Sequence, residues 1–240
     1  MIVIKKSTLA FLYILIFFII SINLNADNQN RSLKYIKSLE YNLLCSQIYN
    51  TARHNIENLD LINAKSVMLE QTNFKDLPLA IVSDIDETIL LNYEFQKMLS
   101  TTQQTFSYNL FEKFINQKTA SVINGSLKYY NYLASKGIKI IYISNRRHSS
   151  EDKTYEHLLE LGYPIDSKED LLLENEKDTW LSNKSTRRAY IANKYNVIQI
   201  FGDNLLDFAK NEDLVIKNKD KFGNVWFLLP NPFYGTWLKK

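Results

Sequence analysis

Three short apolar runs, Leu77 to Val82, Ile138 to Ile143 and Val197 to Phe201, end on polar groups rather than fading into ordinary loops. The first is followed by Asp84-Ile85-Asp86, the second by Ser144-Asn145 and the third by Gly202-Asp203. Apolar runs this short, bounded by turn residues, read as strands buried on both faces, as in a parallel sheet. Helix-period segments separate them: Gly125 to Lys136, closed by Gly137, and Ser150 to about Leu161, closed by Gly162. A further helix opens at Ser182 and runs to about Tyr195. Shorter strands are expected at Leu171 to Leu173 and Val225 to Leu229. This alternation specifies an α/β fold with a central parallel sheet and helices on both faces. Ligands of such sheets bind in the crevice beyond the carboxyl ends of the strands, where the three polar ends converge.

Each strand end has two readings when taken alone. Asp84 and Asp86 point the same way if the strand continues. A turn after Asp84 would instead bring Asp86 round to face it, as a nucleophile and a proton donor. Equally, the pair could cap the next helix. Ser144 and Asn145 suit a phosphate oxygen held beside backbone N–H groups, or a helix N-cap. Lys184, in Ser182 to Arg188, could neutralise a phosphate or be one more solvated lysine. Asp203 and Asp207 would share one face of a helix start, and paired carboxylates there suit a hard cation such as magnesium.

Around this frame, residues 32 to about 58 carry apolar side chains at three- and four-residue steps, an amphipathic helix. A shorter helix is expected from Leu61 to Glu70, which makes an N-terminal helical region of about 32–70. Residues 93–123 hold Tyr93, Phe95, Phe106, Tyr108, Phe111 and Phe114 without strand alternation, with a helix at 109–117. This is a candidate small, mainly helical cap, with Phe111 and Phe114 in its own core. His54 follows Arg53 but lacks the glycine and proline of a histidine acid phosphatase loop, so it is expected on the surface.

Residues 1–26 combine Lys5 and Lys6, an apolar run from Leu9 to Ile22 and a polar exit, the layout of a secretory signal peptide. Cleavage after Ala26 would leave residues 27–240 as the mature domain; a retained anchor is the alternative. A lipoprotein signal needs a cysteine just after the apolar run, and Cys45 lies too far on, so lipidation is not expected. Without Lys5 and Lys6 the chain carries 27 basic and 26 acidic side chains, which gives no case for a nucleic-acid polymer as partner. The single cysteine, Cys45, excludes an internal disulfide and leaves a thiol that is either buried and inert or a weak liability.

Taken in order, Asp84-x-Asp86-x-Thr88, Ser144-Asn145, Lys184 and Gly202-Asp203-x-x-x-Asp207 resemble the four motifs of the haloacid dehalogenase (HAD) superfamily. The stretches Asp84 to Asn92, Tyr142 to Arg147, Lys184 to Arg187, Phe201 to Phe208 and Phe222 to Asn231 are most similar to its DDDD-type class C acid phosphatases. That class includes the lipoprotein e(P4) group of bacterial outer-membrane 5′-nucleotidases. The resemblance covers about residue 35 to Trp237 and implies a HAD-like Rossmannoid three-layer sandwich with a small cap.

It further implies that Asp84 is the nucleophile and Asp86 the acid and base, which calls for an acidic optimum. Ser144, Asn145 and Lys184 would hold phosphate. Magnesium would sit on Asp84, the Asp86 carbonyl and Asp203, with Asp207 as a ligand directly or through water. Tyr234 would form one wall for a nucleoside leaving group. Met98 stands where the family has an aromatic, with Phe106 or Tyr93 as substitutes. The resulting expectation is an exported, magnesium-dependent acid phosphatase for small phosphomonoesters, nucleoside 5′-monophosphates first among them. It would be periplasmic, secreted or outer-membrane-associated, touching a membrane only through an uncleaved N-terminal segment, and a homodimer is left open. The alternatives are a phosphatase for sugar phosphates or other small esters, a non-catalytic binding or storage protein on the same fold, and a membrane-anchored structural protein.

Overall fold

The computed structural model describes residues 29–239, so the expected leader lies outside the described residues. Five parallel strands form the sheet: β1 (Leu79–Ser83), β4 (Lys139–Arg147), β5 (Leu171–Glu174), β6 (Asn196–Gly202) and β7 (Trp226–Leu228). Their order is β5-β4-β1-β6-β7, which puts β1 at the centre with β4 and β6 as its parallel neighbours. Alternate side chains serve opposite faces of the sheet. Ile81, Ile140, Tyr142, Ile198 and Phe201 join a core with α1 (Leu39–Glu57) and the helix Ser126–Ser135. Ala80, Val82, Ile141, Ile143, Val197 and Ile200 pack on the other face with Ile191, Ala192 and Phe208. The three layers follow from that alternation.

The first core is built on rings. Phe201 stacks on Tyr49 at 5.6 Å and on Phe227 at 4.9 Å between centroids. Its carbonyl accepts the N–H of Asp84 at 2.9 Å, so one residue ties the core to the strand end. Cys45, on the buried face of α1, is fully enclosed, and burial pushes its thiol up to about 11, the inert case. His54 is exposed.

The N-terminal region differs from expectation. The single helix expected over 32–58 is broken: residues 29–36 are helical, then Ser38 starts α1 afresh by accepting the N–H of Tyr41 at 3.1 Å. Residues 61–70 form no helix. The Asp60 carboxylate captures the N–H of Ile62 at 3.1 Å in an Asx turn, and the chain then runs extended. Because β7 pairs only with Ile200 to Gly202 of β6, the Val197 carbonyl is free to accept the N–H of Val67 at 2.9 Å. Val67 and Met68 fill the second core from there, so their apolar pattern served sheet coverage rather than a helix face.

Past β1, the antiparallel pair β2 (Leu90–Leu91) and β3 (Ser121–Val122) brackets the cap segment. The cap holds two helices, α2 (Tyr93–Thr102) and α3 (Tyr108–Gln117), where the sequence reading had only the second. Phe95, Phe111 and Phe114 pack within 5.0–6.2 Å of one another as its core. On the sheet side, α4 (Ser126–Ser135) precedes β4 and α5 (Glu151–Glu160) follows it. Then α6 (Ser185–Ala192) leads into β6, and α7 (Glu212–Lys217) into β7. The start of α6 is set by Asn183, whose side chain accepts the N–H of Ser185 at 3.0 Å, which makes it shorter than the helix expected over 182–195. No helix among the described residues is long and apolar enough to cross a membrane.

Phe201 is the joint to test. Phe201→Ala should cost about 3–5 kcal/mol in stability by removing a fully buried ring, read as a lower urea midpoint with an unchanged slope.

Candidate active site

The carboxyl ends of β1, β4 and β6 deliver their side chains to one crevice. Asp84, at the exit of the central strand, is buried, and its Oδ1 forms an ion pair with Lys184. Thr88 donates to its Oδ2 at 3.3 Å. Lys184 arrives from the start of α6, is buried, and also reaches Asp207 Oδ1 at 2.6 Å. The solvated reading of Lys184 is therefore excluded. A lysine is taken out of water only when paired, and here two carboxylates do so.

Asp203 follows β6 directly and Asp207 ends a 3-10 turn (Leu205–Asp207), so the two do not share the face of an α-helix. Asp207 Oδ2 accepts the N–H of Asn204 at 2.9 Å in a capping box, so this acid braces its own loop as well as Lys184. Asp203 Oδ2 accepts from Asn231 at 2.6 Å. Carboxylate oxygens of Asp84, Asp203 and Asp207 all lie within 4.8 Å of one another.

That crowding governs their protonation. Burial pushes the Asp84 carboxyl up, Lys184 pulls it back, and Asp207 and Asp86 push it up again, leaving it at about 7. Burial, then Asp84 and Asp207, hold Asp203 well above the usual carboxylate range. Lys184 is held above its usual range because the pull of Asp207 and Asp84 outweighs the burial that disfavours its charge. Three hard oxygen donors that one lysine only partly neutralises fit a divalent cation, which would stabilise their ionised forms together.

The Asp86 carboxylate is held by a second set of partners. Arg146, 1% exposed, forks onto it with Nη2 at 2.8 Å from Oδ1 and Nε at 3.1 Å from Oδ2. Asn92 donates to Oδ1 at 2.8 Å, and Ser144 Oγ stands 3.4 Å from Oδ2. Ser144 is thus inside the site, within a β4 that continues to Arg147 and not at a helix cap. The Asn145 side chain points elsewhere: its amide donates to the Ser182 carbonyl at 2.9 Å and accepts from Arg187 at 2.6 Å. It serves the framework, and only its backbone remains as a candidate phosphate donor.

The expected leaving-group residues are dispersed. Phe106 is 53% exposed and its ring contacts, Phe95, Tyr108 and Phe111, all belong to the cap. Met98 is half-buried on α2, with its sulfur 3.7 Å from Thr102 Oγ1. Tyr93 is covered by Lys37 at 3.9 Å from its ring centroid. Tyr234 keeps 37% exposure while its hydroxyl donates to the buried Glu87.

Three fully buried arginines were not singled out from sequence. Arg146 holds Asp86, Arg187 binds the Ser144 carbonyl at 2.6 Å, and Arg188 binds the Asp207 carbonyl at 2.9 Å and Glu70 at 2.7 Å. Their signal was position, directly after the second motif and one turn into the helix of the third. Arginine on a short helix beside an apolar strand has few ways to remain solvated.

Fold and site together define a HAD-type protein, with a parallel sheet that presents acids from its first and last motif strands. The chain belongs to HAD superfamily subfamily IIIB (acid phosphatase), whose family model matches residues 20–237. It is similar to the class C acid phosphatase of Bacillus anthracis, solved with tungstate bound: 30% identity, TM-score 0.76, covering 88% of this chain and 87% of that one. Among curated relatives, the stem 28 kDa glycoprotein of Glycine max is 30% identical over 161 residues, 64% of this chain and 58% of that protein. Acid phosphatase 1 of Solanum lycopersicum is 26% identical over 157 residues, 64% of this chain and 57% of that protein. The chain thus spans little more than half the length of these curated relatives.

Two outcomes test the site. A carboxyl whose pKa is raised on folding binds more protons folded than unfolded, so its contribution to stability falls as pH rises between the two values. With Asp84 at about 7 and Glu87 at about 8, metal-free protein should lose stability between roughly pH 4 and pH 8. The melting temperature should drop on the order of 5 °C, and magnesium should restore it mainly at the upper end. Separately, a Cβ on Gly202 would lie 2.4 Å from the Asp207 Cβ. Gly202→Ala should therefore push Asp207 off Lys184 and weaken magnesium binding in a calorimetric titration.

Proposed function

We propose that this chain is an exported, magnesium-dependent acid phosphatase that hydrolyses small phosphomonoesters, nucleoside 5′-monophosphates among them, through an aspartyl-phosphate. One observation carries the reading: a buried Asp84 held by Lys184, with Asp203 and Asp207 oxygens within 4.8 Å. Loss of Asp84 would have favoured a binding or storage protein, and the presence of Asp84, Asp86, Lys184 and Asp203 together supports the catalytic reading instead. In the Bacillus anthracis relative the bound group is tungstate, a tetrahedral oxyanion shaped like phosphate. Export rests on the layout of residues 1–26.

Phosphoryl transfer asks for positioning and charge neutralisation more than for elaborate bond chemistry. An Asp84 oxygen attacks phosphorus while the bond to the leaving oxygen breaks. Asp86 gives that oxygen its proton, and the alcohol departs. Asp86, now ionised, takes a proton from water as the water oxygen attacks phosphorus, and the bond to Asp84 breaks to release phosphate. Lys184 and the Ser144 hydroxyl hold the phosphoryl oxygens through both steps. Magnesium on Asp84, Asp203, Asp207 and the Asp86 carbonyl would supply the positive charge that lets an anion approach a carboxylate.

Arg146 adds a constraint on Asp86. Oδ1 accepts the shortest bonds from Arg146 and Asn92, at 2.8 Å each. Oδ2 has only a 3.1 Å contact from Nε and the 3.4 Å contact with Ser144. Oδ2 is therefore the oxygen less committed to the framework, on the Ser144 side of the crevice, from which a proton would pass to the leaving group. Since the leaving oxygen must receive it, acidic solution should favour turnover.

The full chain should release phosphate from an aryl phosphate, faster at acidic than at neutral pH and only weakly in EDTA. Asp84→Asn should remove this activity by several orders of magnitude while the protein still unfolds in a single cooperative transition. Metal-independent turnover, or turnover surviving in Asp84→Asn, would sink the mechanism. A comparison of nucleotide and sugar phosphates then ranks the substrates.

A further inference from the structure

Tyr234 is the one aromatic of the expected leaving-group wall that is fastened at two points, and both fasteners lead back to the reacting groups. Its hydroxyl donates to Glu87, a carboxyl with no solvent exposure. Glu87 has φ of 53°, a left-handed conformation rare for a residue with a side chain, held by its N–H to the Leu90 carbonyl at 2.8 Å. That twist aims the side chain at Tyr234 and at Asn92, whose backbone N–H reaches Oε1 at 3.2 Å. The Asn92 amide then spans Glu87 Oε2, at 3.2 Å, and Asp86 Oδ1, at 2.8 Å. A hydrogen-bonded chain therefore runs Tyr234, Glu87, Asn92, Asp86.

The second fastener is Asn231. Its Oδ1 accepts the N–H groups of Phe233 at 2.9 Å and Tyr234 at 3.3 Å, and its Nδ2 donates to Asp203 at 2.6 Å. The backbone of Tyr234 is thus tied to the carboxylate cluster, and its phenol to the acid–base carboxylate. Between the two ties the ring retains 37% exposure. Such a ring cannot swing to follow a substrate, and presents a fixed apolar face beside the group that protonates the leaving oxygen.

We propose that Glu87 and Asn231 are positioning residues that fix Tyr234 as a rigid wall for the leaving group. Ester selectivity would then be set by the Glu87–Tyr234 bond as well as by the ring itself. This rests on the phosphatase reading above. A wall held from both ends favours flat, ring-bearing leaving groups, because the entropy of orienting the ring is spent in folding rather than in binding. Small, ring-free alcohols make little use of it.

The test is the ratio of kcat/KM for 1-naphthyl phosphate to that for glycerol 2-phosphate, measured on the full chain with magnesium. Tyr234→Phe keeps the ring and deletes only the tie, and should lower the ratio about tenfold, chiefly through KM for the aryl ester. Glu87→Ala should lower it likewise, whereas Glu87→Gln, which keeps an acceptor of the same shape, should restore most of it. A merely structural role would reduce both esters in proportion and leave the ratio unmoved. A Tyr234→Phe ratio within about twofold of the unsubstituted chain would overturn the inference. Absence of turnover by the unsubstituted chain would instead defeat the phosphatase reading and this inference with it.

Discussion

The ion pair between Lys184 and Asp84, shared with Asp207, is the constraint on which the rest depends. Three carboxylates cannot be brought to the end of a buried strand without a cation inside the same enclosure. Lys184 provides one charge from the start of α6, and its enclosure forces α6 to lie where it does against the sheet. One lysine does not balance three acids, and the residual repulsion keeps Asp84 and Asp203 above their usual range. The imbalance is the property a divalent cation and a phosphate would exploit. The site is left short of positive charge by its own fold.

Around that centre the buried arginines act as fixed braces. Arg146 grips a side chain, while Arg187 and Arg188 grip main-chain carbonyls of the second and fourth motifs. A planar guanidinium with five donors can span loops that never touch each other. Burial pulls Arg187 down to about 10, still far above the range in which it would lose its charge in use. The end of β4 that carries Ser144 and the turn that carries Asp207 are therefore both braced from α6.

Much of this was readable in the residues alone. The strand–helix alternation and the polar strand ends pointed to the sheet and its carboxyl-end crevice, while Asp84, Asp86, Ser144, Lys184, Asp203 and Asp207 stood out as a set only through the resemblance to the HAD motifs. What escaped was tertiary. Residues 61–70 carry an apolar pattern that a helix could use, but the open half of β6 used it first through Val67. Ser38 sits within a continuous apolar period, yet its hydroxyl restarts the helix. Asn145 looked like a phosphate ligand because its neighbour Ser144 is in the site, and only the position of Arg187 shows that its amide is engaged elsewhere. Glu87 and Asn231 were invisible as a pair because 144 positions separate them, and nothing local relates a strand exit to the end of the chain.

That separation bears on the order of assembly. The central strand β1 is completed early in the sequence, but both its sheet partners, the lysine that offsets its acid and the loop that holds Tyr234 come later. Ser32 even donates to the Pro232 carbonyl at 3.1 Å, so the two ends of the described residues meet beside the loop that carries Tyr234. A chain emerging from its N-terminus thus carries Asp84 and Asp86 long before anything can enclose them. Contacts spanning such distances close slowly, since loop entropy must be overcome before they form. A chain made only as far as β6 is therefore an open scaffold, and the pocket comes into being only once the Asn231 to Tyr234 loop has joined it.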